Sequence, residues 1–211
     1  MKLPTKIDSF TGVWAFLSNF HPGEVQLWVT ADGVVYAHEV HSPKPPMPDA
    51  TVEVYASVEH AYQAAKTLNA AVREKFRFAG VTPGRAKKMG RSLKLRPDWE
   101  EVKIDIMRGL LMQKFRPSIL KRKLLSTFQA ELIEGNYWHD TFWGVCMGKC
   151  DFPHAALGEN WLGRLLMEVR QFYGLGITEP MCKHGKTKRQ ECGSCAGGFD
   201  NASPQIVEDE L

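Results

Sequence analysis

Glu59 and Lys66 place a carboxylate and an amine on the same short segment, Ser57-Val-Glu-His-Ala-Tyr-Gln-Ala-Ala-Lys66. The segment reads as an amphipathic helix. Ser57 is a suitable N-cap, since its hydroxyl accepts an otherwise orphan backbone N–H, and Val58, Ala61, Tyr62 and Ala65 fall at helical spacing on one apolar face. Glu59, Gln63 and Lys66 are four and three apart and form a second, polar stripe. Seven residues separate Glu59 from Lys66, about 10 Å along a helix axis, which is room for a sugar to lie between them. A desolvated lysine has a lowered pKa and attacks carbonyl-like carbon. A second candidate acid, Asp140, lies in the aromatic run Asn136-Tyr-Trp138-His-Asp140-Thr-Phe-Trp143, whose rings can exclude water and stack on a flat group. The plain alternative for the helix is a solvated charged face, and for Asp140 a turn aspartate among core tryptophans.

A further cluster lies near the C-terminus. Cys182, His184, Cys192 and Cys195 form a Cys-x-His…Cys-x2-Cys set, and three thiolates with one imidazole suit tetrahedral structural zinc. Lys183, Lys186, Lys188 and Arg189 surround it, a basic loop that is either solvated or in contact with DNA or RNA. Cys146 and Cys150 read as plain thiols, and the odd count of 5 cysteines fits poorly with a fully paired framework.

Positioning these groups requires an α+β fold, mainly helical, with a small antiparallel sheet from the N-terminal third. Residues 1–9 read as a loose lead-in, and the aromatic stretch Phe10–Phe20 as a core-seeking strand or turn. Val25–Val29 alternates as a strand, Asp32-Gly33 signals a hairpin turn, Val34–Tyr36 returns, and Thr51–Tyr55 supplies a third strand. The prolines within 42–49 mark an irregular insertion. Helices are predicted from Ser57, over Ala70–Ala79 ended by Gly80, and from Thr82-Pro83 to Gly90. Asp98-Trp99-Glu100-Glu101 reads as a capping box opening a long helix with Val102, Ile106, Leu110 and Phe115 buried. Further helices follow over Ser118–Thr127 and from Asn160, as cap, to Gly174. Residues 1–176 form one expected domain. Residues 177–211, poor in large apolar side chains, form a tail unable to build its own core.

Composition adds bounds. Hydrophobic content of 44% and charged content of 24% suit a soluble core, and a net charge of +3 is too small to argue for nucleic acid. No apolar run is long enough to span a bilayer and the N-terminus does not read as a signal peptide, so a cytoplasmic protein with no membrane role is expected.

Several motifs recur in one order: Ser18-Asn19-Phe20; the Ser57 segment; Ala86–Arg91; Leu95–Lys103; Asp140-Thr-Phe-Trp-Gly144; and Gly158–Arg170. The set resembles the NADAR family over about residues 8 to 174. The resemblance implies an N-glycosidase that cleaves between a ribose anomeric carbon and a nitrogen, with no cofactor for catalysis. It implies as substrate either a phosphorylated ribosylamine of early riboflavin biosynthesis or ADP-ribose on guanine in DNA or RNA. A non-catalytic module that binds ADP-ribose or NAD is the competing class. By the same resemblance Glu59, Lys66 and Asp140 are catalytic, and Asn19, Gln63, Arg91, Trp99, Trp138 and Trp143 contact substrate. N-glycosidic cleavage leaves positive charge at the anomeric carbon. It therefore needs a carboxylate nearby and a proton for the leaving nitrogen. Lys66 as a Schiff-base nucleophile and direct attack by water both satisfy these residues. Arg91 and Arg96 before the Trp99 helix read as a phosphate site or as solvated arginines, and His139 as a general acid or a loop histidine.

Overall fold

The computed structural model describes residues 4–37, 49–148 and 158–175. All of them fall within one compact unit, Met1–Thr178. The lead-in is not loose: Lys6–Ile7 forms β1, and Ile7 is buried. A 3-10 turn over Gly12–Leu17 follows and buries Phe16 and Leu17. Next come β2 (Val25–Val29), β3 (Val35–Tyr36) and β4 (Thr51–Tyr55), an antiparallel sheet in the order β3-β2-β4. This is the small sheet expected of the N-terminal third. Its hairpin turns at Gly33, whose φ of +84° is open to glycine at little cost. Most of the proline-rich stretch lies outside the described residues.

Helices α1 (Val58–Ala64), α2 (Ala70–Glu74), α3 (Pro83–Arg91), α4 (Trp99–Lys114) and α5 (Ser118–Leu125) follow. Then come β5 (Glu131–Leu132), β6 (Gly135–Asn136), β7 (Val145–Cys146) and α6 (Trp161–Gly174). β5 pairs in parallel with β1, and β6 in parallel with β7. The central element is α4, against which α1, β2 and α6 pack. It buries Ile106, Leu110, Leu111 and then Phe115, each contributing about 1.5–3 kcal/mol by leaving water. Among the described residues no helix is long and apolar enough to cross a membrane.

Four local expectations are corrected. Helix α2 stops at Glu74, well before Gly80, and turns carry the chain on to Gly80. Helix α3 continues through Gly90 to Arg91, because Gly90 answers to a neighbouring helix rather than to a helix end. Asp98 makes no cap hydrogen bond; both its oxygens accept from Arg96, at 2.6 and 2.8 Å. Asn160 precedes α6 in the left-handed region (φ +53°) and does not cap it. Its side chain instead accepts from the Glu134 N–H and donates to the Leu132 carbonyl, tying α6 to β5. Cys146, read as a plain thiol, is disulfide-bonded.

The junction after α1 rests on a buried ion pair. The Arg73 guanidinium meets Glu53 of β4 through Nε at 2.9 Å and Nη2 at 3.0 Å, and Nη1 donates to the Leu68 carbonyl at 2.7 Å. Arg73→Ala is expected to cost about 3–5 kcal/mol, since it leaves the Glu53 carboxylate with the Tyr55 hydroxyl in place of a charged partner. Urea unfolding checks this. Loss of less than about 1 kcal/mol would show that the pair does not hold the junction.

Candidate active site

The helix that carries Glu59 faces inward along its polar stripe as well as its apolar one. Ser57 caps it, its hydroxyl accepting from the His60 N–H and lying 2.8 Å from His60 Nδ1. The His60 ring is held in turn by the Val81 carbonyl. With α3 and α4 packed on α1, Glu59 and Gln63 are both only 5% exposed. The solvated-face alternative therefore does not apply to them. The helix ends at Ala64, so Lys66 sits just beyond it, its carbonyl accepting from the Arg96 N–H at 2.8 Å.

A cavity of about 650 Å³ opens beside this helix. All nine candidate residues line it: Glu59, Lys66, Asp140, Asn19, Gln63, Arg91, Trp99, Trp138 and Trp143. One wall is aromatic. Tyr62 packs on Trp99 at 5.1 Å between ring centroids and on Trp143 at 5.3 Å, and Trp143 on Phe142 at 5.0 Å. The Lys66 ammonium lies 5.7 Å from the Tyr62 ring and 5.9 Å from the Trp99 ring. At the mouth Tyr137 and Trp138 are 73% and 55% exposed, and Lys87 lies 5.1 Å from the Trp138 ring.

Asp140 combines its two sequence readings. One carboxylate oxygen accepts from the Trp143 N–H at 2.9 Å, and its backbone is clasped by the Asn136 amide, so it shapes the aromatic loop while also facing the cavity. Arg96, by contrast, is withdrawn: it is buried, bound to Asp98 and to the Val35 carbonyl at 2.6 Å, and does not line the cavity. His139 stands in the left-handed region (φ +61°) and is not part of the lining. Lys87, Lys103, Met107 and Glu134 are among the lining residues that had no assigned role from sequence. Lys87 and Lys103 fall inside quoted motifs, but a lysine on an exposed-looking helix carries no mark of the cavity it faces.

Burial sets the charge states. It raises the Glu59 carboxyl, partly offset by the hydrogen bond from Gln63 Nε2 at 2.8 Å and then by Lys87 and Lys66. Burial lowers the Lys66 amine, opposed by Glu59 and reinforced by Lys87 and Arg91. Lys66 thus has more free amine than an exposed lysine at the same pH, which favours nucleophilic use. Two buried acceptors, Asn19 Oδ1 and Gln63 Oε1, have no protein donor among the described residues. Both belong to residues that line the cavity, and Gln63 Oε1 points at Gly90 of α3.

Gly90 explains how Gln63 is held. A Cβ at Gly90 would overlap Oε1 and Cδ of the Gln63 side chain. Gly90→Ala is therefore expected to push the Gln63 amide off Glu59 and to reduce kcat/KM by roughly tenfold, the loss of about one hydrogen bond to a charged group. The same change should lower the melting temperature by only a few degrees, because alanine favours the helix interior by about 1 kcal/mol and offsets part of the lost hydrogen bond. Steady-state kinetics with a parallel melt check it; unaltered kcat/KM would show that Gln63 has room to move without consequence.

The fold and site together define a mainly helical α+β protein with an acid- and lysine-bearing cavity walled by aromatic rings. The NADAR domain family matches residues 11–172, and the chain belongs to that family. It is 38% identical to N-glycosidase YbiA of Escherichia coli over 122 residues, 56% of this chain and 71% of the relative. It is 32% identical to the riboflavin biosynthesis protein PYRR of Zea mays over 183 residues, 79% of this chain and 25% of that protein. The solution NMR structure of E. coli YbiA superposes with a TM-score of 0.57 at 30% identity, covering 87% of this chain and 94% of that one.

Proposed function

We propose that this chain is an N-glycosidase hydrolysing the C1′–N bond of a phosphorylated ribosylamine or nucleotide-type substrate. The observation that carries the reading is the convergence of the Glu59 and Asp140 carboxylates and the Lys66 amine on one aromatic-walled cavity, in a chain whose relatives include a named N-glycosidase and a riboflavin biosynthesis protein. In this reading Asn19 and Gln63 contact the ribose. Arg91 and Lys103 meet the phosphate, and Trp138 stacks on the planar leaving group. Lys66 attacks C1′ of the open-chain sugar to form a Schiff base that water then hydrolyses, with Glu59 moving protons. In the competing route Glu59 and Asp140 guide water directly.

The test is to incubate the full chain with a ribosylaminopyrimidine 5′-phosphate and, separately, with an oligonucleotide bearing ADP-ribosylated guanine, and to analyse the products by mass spectrometry. Release of free aminopyrimidine is expected. Cleavage of the oligonucleotide alone would move the substrate to the nucleic-acid alternative, and cleavage of neither would leave a binding module. We further propose that residues 1–176 form the glycosidase domain and that the tail, 177–211, binds zinc through Cys182, His184, Cys192 and Cys195. These four lie outside the described residues. Zinc content of the full chain, compared with Cys192→Ser, tests that assignment.

A further inference from the structure

We propose that Glu134 is the proton donor to the leaving nitrogen, a catalytic residue lining the same cavity as Gln63-bound Glu59. The inference rests on the N-glycosidase reading above. Glu134 lies between β5 and β6 on a backbone fixed from both sides. Its N–H donates to Asn160 Oδ1 at 3.0 Å, and its carbonyl accepts from the Val145 N–H at 2.9 Å. A Cβ at Gly144 would collide with that same carbonyl. The side chain lines the cavity and makes no hydrogen bond or ion pair among the described residues, so a well-placed backbone presents the carboxyl to the cavity.

Three carboxyl groups, Glu59, Asp140 and Glu134, share this one cavity. Close acids in a low-dielectric site do not all ionise together. Burial raises both Glu59 and Glu134, and hydrogen bonding then separates them. Glu59 accepts from the Gln63 amide, a bond that favours its charged form and opposes the effect of burial. Glu134 has no such donor. The groups facing it are Lys87 of α3, Asp140 of the β6–β7 loop, Glu59 of α1 and Lys114 of α4. Burial, Asp140 and Glu59 push the carboxyl up and the two lysines pull it down, with the result at about 7. That value suits a general acid at neutral pH.

The step balances as follows. As the C1′–N bond breaks, its electron pair goes to nitrogen and the Glu134 carboxyl proton follows. C1′ gains the oxygen of a water molecule, directly or after the Lys66 adduct, and the proton that water loses passes to the Glu59 carboxylate. Exchange with solvent then returns a proton to Glu134 and removes one from Glu59.

The test compares the full chain with its Glu134→Gln variant on a series of ribosylaminopyrimidine 5′-phosphates whose leaving amines are graded in basicity. The variant is expected to lose ~100-fold or more in kcat on the most basic amine and much less on the least basic. The wild-type rate on the basic amines should fall as pH rises through about 7, and this limb should vanish in the variant. Equal loss across the series, or no loss, overturns the inference. Should Glu134→Gln not fold, the wild-type profile still decides: no falling limb up to pH 8.5 on the basic amines overturns it. Wild-type protein inactive on the whole series would overturn the N-glycosidase reading itself, and this inference with it.

Discussion

Lys66→Ala is expected to reduce turnover of a ribosylaminopyrimidine 5′-phosphate by ~100-fold or more, the usual cost of losing a nucleophile or a charge-stabilising group. Its fold should survive. The amine contributes two ring contacts, to Tyr62 and Trp99, each worth about 0.5–1 kcal/mol. It is also a half-buried cation whose removal relieves a desolvation cost. The melting temperature should therefore move by only a few degrees. Borohydride added during turnover should fix the sugar on Lys66, visible as a mass increment on the peptide that carries it. Absence of that adduct together with near-normal activity in the variant would remove the Schiff-base route and leave the carboxylates guiding water. The pH dependence follows from the lowered amine: the nucleophilic fraction grows with pH, and it does so at lower pH than for an exposed lysine.

Glu59→Gln should lose a similar ~100-fold in kcat while gaining stability, because the same burial that serves the reaction opposes folding. The folded carboxyl is raised above its ordinary value, first by burial. The folded state therefore holds a proton over a pH range in which the unfolded chain has released it. Linkage then gives a stability contribution that is fully present below the ordinary carboxylate value and lost as pH rises through the folded one. Glutamine carries no charge and escapes that loss, and Gln63 Nε2 can still donate to its amide oxygen. The variant should melt above wild type near pH 8, with the gap closing toward pH 4. Melts at both pH values check the sign. A variant that melts below wild type at pH 8 would mean that Lys66 and Lys87 stabilise the Glu59 charge more than burial penalises it.

The two carboxylates and the lysine were legible in the sequence because local rules and the family resemblance reach them. Ser57 and Thr82 cap their helices as their hydroxyls predict, and the alternation of β2 buries Val25 and Leu27. Glu59 and Gln63, four apart, had to share a face once the helix formed. That this face is buried, and meets Asp140 from a loop some 80 residues on, was set by α3 and α4 packing on α1. Where a side chain had both a local and a distant partner, the distant one prevailed. Asn160 left its helix for β5, and Gly90, placed like a helix end, makes room for Gln63, while Asp98 left its helix for Arg96, two residues back, which the Val35 carbonyl holds. Glu134 was the least visible. It sits between two-residue strands whose parallel partners, Lys6–Ile7 and Val145–Cys146, come from elsewhere in the chain. Pairs so short carry no alternation to read, and a carboxylate gains its function here from the low dielectric and the neighbouring charges that only the folded cavity supplies.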